Sequence, residues 1–181
     1  IGESFGAFLV DKGTPGFEIT RRGTHFGLRG IPMNEFALTD CRIQKGNLLG
    51  REGQGLAIAI TGISAAGRTG TSAIALGIAG GCFEAALKFA KERKLYGNPI
   101  ADLQAIQFML VDMSTEIEAA RWLVYKPARL LDEGKSPREL ATDIARAKLY
   151  AGETAVRAAT SAIRIMGGYG TTPEYQVVQR L

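Results

Sequence analysis

A cationic side chain lies close in sequence to two amide side chains at the point where two helical patterns meet. Arg93 ends the first long pattern, and Gln104 and Gln107 lie on adjacent turns at the start of the next. The planar guanidinium offers several N–H donors suited to a phosphate or pyrophosphate. An anionic, ring-bearing ligand could therefore lie here. A purely structural role for these residues stays open, since a cation in a last helical turn complements the helix dipole and glutamines often cap helices or face solvent.

A second cation, Arg68, lies within an apolar and glycine-rich helical pattern. A long cation in such surroundings either reaches water or needs an anion, because a buried and unpaired charge is costly. We expect an anionic partner, which is either a ligand or a carboxylate of a neighbouring helix. The candidate carboxylates are Asp112, Glu116 and Glu118.

A third candidate is the glycine turn, residues 167–170 (GGYG), which follows the last helical pattern. Glycines end helices routinely, but backbone amides without Cβ atoms can also press against a flat or phosphorylated ligand. The spacing is not that of a Walker loop, and no predicted strand precedes the turn. Classical Rossmann binding is therefore not expected.

The residue inventory excludes several kinds of chemistry. His25 is the only histidine, which excludes a histidine pair or a Ser-His-Asp set within the chain. Cys41 and Cys82 lie far apart and outside any CxxC pair, so we expect reduced core thiols in an intracellular protein and no metal site.

The charge and hydropathy patterns limit the partners. The net charge of +4 is spread along the helices, which argues against nucleic-acid binding and suits an anionic ligand. The apolar run at residues 56–66 is interrupted by small polar residues and by glycine, and it is too short to span a bilayer. We therefore expect neither a nucleic-acid partner nor a membrane partner.

Three short β-type runs precede the helical patterns. They are rich in β-branched and aromatic residues and cover residues 5–10, 17–21 and 35–43. Residues 13–16 (GTPG) predict a hairpin turn, because proline presets φ and glycine tolerates positive φ. So few strands make a poor independent sheet, and the chain is expected to begin inside a β domain.

From Gln54 onward the apolar spacing is helical. The first pattern holds six glycines between Gly62 and Gly81, and each costs roughly 1 kcal/mol against alanine in a helix interior. Their number predicts close approach by a neighbouring helix or a ligand. The second pattern covers about residues 102–132 and ends at Glu133-Gly134, a typical C-cap.

The third helical pattern begins at Ser136-Pro137 and stops at Gly167. Ser136 as N-cap and Glu139 three residues later form a capping box, with proline at the first helical position. A stripe of mostly small residues is expected to be buried, and it comprises Ile144, Ala147, Ala151, Ala155, Ala158, Ala162 and Ile165.

Aromatic residues of the second pattern are expected to be core, because Phe108, Trp122 and Tyr125 recur at near-helical spacing. Pro127 should kink this helix. The patterns together predict an α+β fold, in which a partial β domain is followed by an up-down bundle of long helices.

Six motifs, taken together, resemble the acyl-CoA dehydrogenases, flavoenzymes that oxidise the α,β bond of acyl-CoA thioesters. They are residues 8–17 (FLVDKGTPGF), 27–30 (GLRG), 40–43 with 47–50 (DCRI, NLLG), 53–55 (GQG), the stretch 92–108 around Arg93, and 167–170. Each motif is weak alone, whereas six in the family's order and approximate spacing are specific. The resemblance covers essentially the whole chain.

The resemblance implies two regions. Residues 1–50 would form the second half of the family's middle β domain, and residues 51–181 its C-terminal helical bundle, truncated before the last helix. The chain would then be a fragment of a longer protein, inactive on its own.

The resemblance also implies cofactor contacts. Arg93 and Gln104 match positions that bind an FAD held mainly by a neighbouring subunit. Gly167 and Gly168 match glycines that line the FAD, and Arg164 stands where the family motif begins with glutamine.

The expected substrate contacts are Arg68 and Ser64. Arg68 matches an arginine near the bound CoA thioester, and Ser64 lies in a stretch, residues 62–68, that is one residue longer than the family's pattern. The family's catalytic base is a glutamate that removes the α-proton while flavin N5 accepts a hydride. Gly67 stands where a minority of members carry this glutamate, so we expect no catalytic residue within the chain.

The implied partners are an acyl-CoA substrate, electron-transfer flavoprotein and further copies of the chain in a homotetramer. The implied location is the bacterial cytoplasm or the mitochondrial matrix. An acyl-CoA oxidase or a flavin monooxygenase of the same fold is the alternative enzyme. A non-catalytic helical module for oligomerisation is the alternative from another class.

Overall fold

The computed structural model describes residues 5–25, 27–28, 30–175 and 177. Arg29, part of one family motif, lies outside these residues. The chain divides into two compact units, Ile1–Ile63 and Ser64–Leu181. The domain boundary at residue 50 stays a prediction.

The first unit contains a two-stranded antiparallel sheet, formed by β1 (Phe17–Gly23) and β2 (Met33–Leu38). The end residues pair across the sheet, Phe17 with Leu38 and Gly23 with Met33, and the register shifts between Ile19 and Arg21. The strands predicted at residues 17–21 and 35–43 therefore exist, although the second is shorter and begins earlier.

The predicted strand at residues 5–10 is wrong, since only an isolated bridge joins Phe8 to Leu48 there. Residues 13–16 therefore do not close a hairpin. They lead into β1, and the Gly16 carbonyl accepts a hydrogen bond from the Thr39 N–H (2.9 Å). Gly16 has a φ of +83°, and a Cβ there would lie 2.1 Å from the Thr39 oxygen, so both its conformation and its packing require glycine.

The helical part begins with α1 (Gly55–Gly62), a π-helical turn (Ile63–Arg68) and α2 (Thr69–Glu92). A short hairpin of β3 (Lys94–Leu95) and β4 (Asn98–Pro99) leads to α3 (Gln104–Asp132), and α4 (Ala141–Met166) follows.

Two ion pairs give the relative direction of α3 and α4. Glu116 of α3 pairs with Arg157 of α4 (2.9 Å), and Lys126 of α3 pairs with Asp143 of α4 (3.0 Å). The α3 residue nearer the C-terminus of α3 pairs with the α4 residue nearer the N-terminus of α4, so the two helices are antiparallel.

Helices α2 and α4 finish at the same end of the bundle. Phe89, on the last turn of α2, contacts Tyr169 just after α4, with ring centroids 5.6 Å apart. The core is rich in small side chains, and its buried alanines include Ala79, Ala86, Ala90, Ala155, Ala158, Ala159 and Ala162. All seven residues of the predicted α4 stripe are buried. The up-down bundle and the α+β fold class are thus confirmed.

Helix α3 ends in a Schellman motif. The Gly134 N–H donates to the Leu131 carbonyl (2.9 Å), and the Lys135 N–H donates to the Leu130 carbonyl (3.0 Å). Gly134 has a φ of +89°, which glycine adopts without a steric penalty. The predicted C-cap at Glu133-Gly134 is confirmed.

The predicted start of the third helix is wrong, because α4 begins at Ala141. The capping box nevertheless forms: the Ser136 hydroxyl and N–H both donate to a Glu139 carboxylate oxygen (2.7 and 2.9 Å), and the Glu139 N–H donates to the Ser136 Oγ (3.3 Å). The next residues form a turn, in which the Ala141 N–H donates to the Arg138 carbonyl (3.4 Å). The box therefore stabilises the turn that leads into α4.

The three aromatic residues predicted to be core are exposed. The exposed fractions are 60% for Phe108, 70% for Trp122 and 58% for Tyr125. Helix α3 buries another stripe, whose members recur at alternating three- and four-residue spacing: Leu110, Met113, Ile117, Ala120, Val124 and Pro127. The exposed aromatic residues and the buried stripe both fit a helical period. Which of the two is buried depends on the helix that packs against α3. The helix continues through Pro127.

No neighbouring helix of the described chain closely approaches four of the glycines in α1 and α2, and approach by a ligand stays a prediction. A Cβ built on Gly62, Gly70, Gly77 or Gly80 would meet no heavy atom within 4 Å. These positions face open space within the described chain.

Helical backbone runs from Gly55 to Glu92, and this stretch is long and apolar enough to cross a membrane by length and composition. The apolar region is therefore longer than the run at residues 56–66. Arg68 lies inside it, and a cation at the centre of a spanning helix is costly. Core helices of soluble proteins pass the same test, so this single helix is weak evidence for a membrane span.

Candidate functional site

Arg93 lies where α2 ends and the hairpin begins. Its N–H donates to the Phe89 carbonyl and its carbonyl accepts from the Ile100 N–H, both at 2.8 Å. Tyr96 and Gly97, between β3 and β4, have φ values of +52° and +90°, as a type I′ turn requires. The backbone of Arg93 is therefore held from both sides.

The Arg93 guanidinium lies over the ring of Tyr169, with 5.4 Å between Cζ and the ring centroid. Arg93 is exposed and forms no ion pair with any described residue. Because Tyr169 belongs to the glycine turn, the structure brings together two motifs that are far apart in sequence. Both were predicted to contact the same ligand.

The glycine turn follows Met166, the last residue of α4. Gly167 has a φ of +59° and a ψ of −137°, a conformation nearly restricted to glycine. Gly170 is buried, and a Cβ there would lie 2.9 Å from the Ile163 Cα. Gly168 is exposed, and a Cβ there would meet nothing within 4 Å. Neither backbone conformation nor packing within the described chain explains why residue 168 is glycine. Its open surface leaves room for a flat ligand.

Gln104 is the first residue of α3. Its side chain is exposed and forms no hydrogen bond with another described residue, whereas the Gln107 Nε2 donates to the Ala101 carbonyl (3.0 Å). Gln107 therefore supports the turn before α3. The Gln104 amide keeps its donors and its acceptor for a ligand.

Arg164, in the last turn of α4, lines a cleft of about 320 Å³ between α3 and α4. The cleft holds charges of both signs, with Asp112 and Glu116 on α3 and Arg157 on α4. The hydrogen bond from Arg157 to Glu116 raises the pKa of Arg157 above its ordinary value. Arg164, which is exposed, therefore shares this cleft with the carboxylates Asp112 and Glu116.

Arg68 ends the π-helical turn, and its side chain is exposed. Burial within the described chain therefore does not force Arg68 to pair, and an anionic ligand as its partner stays a prediction. Two of the candidate carboxylates have other partners, since Glu116 binds Arg157 and Glu118 binds Arg121. The Arg68 Nη1 donates instead to the Ser64 hydroxyl (3.4 Å), and Ser64 is only 7% exposed.

Hydroxyl groups surround the backbone of the π-helical turn. Thr69 donates to the Ala65 carbonyl, Thr71 to the carbonyls of Gly67 and Arg68 (2.9 and 3.1 Å), and Ser72 to the Arg68 carbonyl (2.6 Å). A π-helical turn disturbs the regular ladder, and hydroxyls on the next turn can satisfy carbonyls locally. Arg68 is thus held through its main chain as well as through its side chain.

Sequence reasoning missed Tyr169 and Ser72 as members of these sites. Tyr169 was predicted only as part of the glycine turn, and no rule of sequence spacing links it to Arg93. Ser72 carried a weak signal, because threonine and serine cluster immediately after Arg68. In the part of the chain that the structure describes, no group of three or more His, Cys, Asp or Glu side chains could hold a metal ion.

Residues 53–181 match the family model for the acyl-CoA dehydrogenase C-terminal domain. An acyl-CoA dehydrogenase of Bacillus subtilis is 41% identical to the chain, and the match covers 97% of the chain and 45% of that protein. The caffeyl-CoA reductase-Etf complex subunit CarC of Acetobacterium woodii is 38% identical, with 94% of the chain and 44% of that protein covered. The chain therefore spans somewhat less than half the length of these relatives.

Solved structures agree with the sequence matches. The butyryl-CoA dehydrogenase of Megasphaera elsdenii superposes with a TM-score of 0.91 at 39% identity, covering 97% of the chain and 45% of that structure. PigA, solved with FAD and proline, superposes with a TM-score of 0.88 at 30% identity, covering 97% of the chain and 45% of that structure. The chain belongs to the acyl-CoA dehydrogenase family, whose C-terminal domain model matches residues 53–181.

Proposed function

We propose that the chain is part of an FAD-dependent dehydrogenase that oxidises the α,β bond of an acyl-CoA thioester. The observation that carries this proposal is the contact between Arg93 and Tyr169. It joins the end of α2 to the glycine turn, so two family motifs form one surface. Family membership supports the reaction class.

The residues at this surface fit an anionic and planar cofactor. Arg93 is exposed and without an ion pair among the described residues, Gln104 has a free amide, and Gly168 presents open backbone. Arg93 would bind a phosphate, Gln104 would donate to a neighbouring oxygen, and Gly167 and Gly168 would lie against a flat face. When bound, FAD supplies the acceptor for a hydride from the substrate's β-carbon. Arg164 could still reach a phosphate or ribose from its cleft.

Arg68 and Ser64 would contact the acyl-CoA substrate. Arg68 is exposed, cationic and held at both its main chain and its side chain, which suits a contact with acyl-CoA, whose CoA phosphates are anionic. Gly67 cannot remove a proton, so the catalytic base would come from outside residues 1–181. The rest of the polypeptide would supply it.

The further proposed partners follow from the family. We place residues 1–50 in the second half of a middle β domain, and we expect electron-transfer flavoprotein as the redox partner and a homotetramer as the assembly. The exposed aromatic residues of α3 support an assembly. We propose no nucleic-acid or membrane partner, and a location in the bacterial cytoplasm or the mitochondrial matrix.

The proposed function is tested by the absorbance spectrum of the complete protein. We expect a flavin spectrum that an acyl-CoA bleaches under anaerobic conditions. Arg93→Met should lower the flavin content, whereas Arg138→Met, which removes another exposed cation in the turn before α4, should not.

Two outcomes would contradict the proposal. A colourless protein that takes up no FAD would exclude the flavoenzyme. A flavin that no acyl-CoA bleaches would exclude the dehydrogenase reaction. Rapid reoxidation by O₂ with release of H₂O₂ would instead indicate the acyl-CoA oxidase of the same fold.

A further inference from the structure

Three aromatic rings form a closed cluster beside Arg93. The ring centroids of Phe89 and Tyr169 lie 5.6 Å apart, those of Phe89 and Tyr175 5.6 Å, and those of Tyr169 and Tyr175 5.8 Å. The angles between rings are 48°, 86° and 76°, which are favourable tilted and edge-to-face arrangements. The contact with Phe89 places the ring of Tyr169 against the end of α2, and Tyr175 packs on both rings.

Only one member of this cluster contacts Arg93 through its side chain. The guanidinium lies over Tyr169, whereas Phe89 contributes its backbone carbonyl to the Arg93 N–H. The Arg93 side chain has no ion pair or hydrogen bond to any other residue that the structure describes. The Tyr169 ring therefore decides where the guanidinium lies.

A contact through a ring face suits an arginine that must bind a second group. The attraction comes from the ring quadrupole and uses none of the five N–H donors. An ion pair would hold the guanidinium equally well, but it would occupy donors and neutralise the charge. Arg93 thus keeps both its charge and its donors for an anion.

We propose that Tyr169 is a positioning residue, which holds the Arg93 guanidinium ready to bind a phosphate group of FAD. This inference rests on the proposed function, in which Arg93 contacts the cofactor. It assigns the tyrosine of the glycine turn a role different from that of Gly167 and Gly168, which would lie against the ligand. The turn therefore supports cofactor binding both directly and through Arg93.

The test measures the Kd for FAD of the complete apoprotein, and quenching of flavin fluorescence reports the binding. Tyr169→Leu removes the ring face and should raise the Kd for FAD about two- to fivefold, the usual worth of an exposed cation–π contact. Tyr169→Phe keeps the ring face and should leave the Kd unchanged. Tyr175→Leu is the matched control, because it breaks the ring cluster without removing the ring that Arg93 covers. It should lower the Tm as Tyr169→Leu does and leave the Kd unchanged.

The Arg93→Met background shows whether Tyr169 acts through Arg93. In that background Tyr169→Leu should cause no further loss of FAD affinity. An equal loss in both backgrounds, or an equal loss in Tyr175→Leu, would overturn the positioning role while leaving the proposed function intact. A wild-type protein that binds no FAD, or an Arg93→Met variant with unchanged Kd, would instead overturn the assignment of Arg93 as a cofactor contact, and the positioning role with it.

Discussion

The glycine turn shows how one residue type can serve different physical needs at neighbouring positions. Gly167 is needed for its backbone conformation, at φ +59° and ψ −137°. Gly168 has an open surface, where a Cβ would meet nothing within 4 Å. Both were predicted as ligand contacts. The backbone conformation already explains why residue 167 is glycine, whereas nothing in the described chain explains why residue 168 is. The two positions can therefore be separated by experiment.

Gly167→Ala should destabilise the complete protein, because alanine is strained at this φ and ψ. The cost is expected to be roughly 1–3 kcal/mol, measured as a change in the free energy of unfolding in urea. Gly168→Ala is the matched control and should change that free energy by less than about 0.5 kcal/mol. Its methyl group should nevertheless weaken FAD binding. Gly168→Ala with unchanged FAD affinity would show that the cofactor does not lie against this residue.

Arg68 and Ser64 allow a test of the substrate site. Arg68→Met should raise the KM for acyl-CoA by about tenfold or more, since a hydrogen bond to a charged group is worth roughly 1.5–3 kcal/mol. Ser64→Ala should raise it less, about two- to tenfold, because the arginine remains but loses one partner. Thr115→Val, which deletes a hydroxyl bonded to the Val111 carbonyl on α3, should leave KM unchanged. Equal KM values in wild type and Arg68→Met would exclude a substrate contact.

At the scale of the elements, local signals were predicted well and the packing face of α3 was not. The C-cap at Gly134 and the capping box at Ser136 were predictable because their hydrogen bonds join residues close in sequence. The face of α3 was not, since Phe108 and Trp122 fit a helical period as well as the buried stripe does. Burial depends on which helix packs there, and that information is not local.

The π-helical turn at Ile63–Arg68 lies in the stretch where the resemblance implies one extra residue. A π-helical turn contains more residues than an α-helical turn, so an insertion there would be accommodated without breaking the helix on either side. The resemblance implied the extra residue but not its conformation. The Arg93 hairpin was similarly predicted as a short turn, without its contact to Tyr169.

The capping box before α4 should make stability depend on pH. Hydrogen bonds from the Ser136 hydroxyl and N–H lower the pKa of Glu139 below its ordinary value of 4.5. A carboxyl with a lowered folded-state pKa stabilises the fold above the unfolded-state pKa, and this contribution is lost as pH falls through the folded-state value. Ser136→Ala should therefore lower the Tm of the complete protein at pH 7, and the difference from wild type should shrink below about pH 4.

Glu139→Gln is the control for this prediction. It keeps the shape of the side chain but removes its charge, so its Tm difference from wild type should also shrink in acid. A Ser136→Ala difference that is constant from pH 7 to acid would show that the ionised Glu139 does not contribute.

At the scale of the molecule, the three long helices bury one side and leave large apolar side chains uncovered on their other faces. The exposed residues are Ile74 on α2, Phe108, Val111, Trp122 and Tyr125 on α3, and Leu149 and Val156 on α4. Soluble proteins rarely leave extensive apolar surface in water. Because the chain spans less than half the length of its relatives, we expect the cover to come either from further residues of a longer polypeptide or from another copy.

The aromatic pair Trp122 and Tyr125 can distinguish these two sources. Trp122→Asp combined with Tyr125→Asp places charge on the most exposed aromatic surface of α3, and a charge buried without a partner is costly. If another copy covers this surface, the complete protein should sediment as a smaller species, with its circular dichroism unchanged. A lower Tm with an unchanged sedimentation coefficient would contradict an interface here, because it would mean that the same polypeptide covers Trp122.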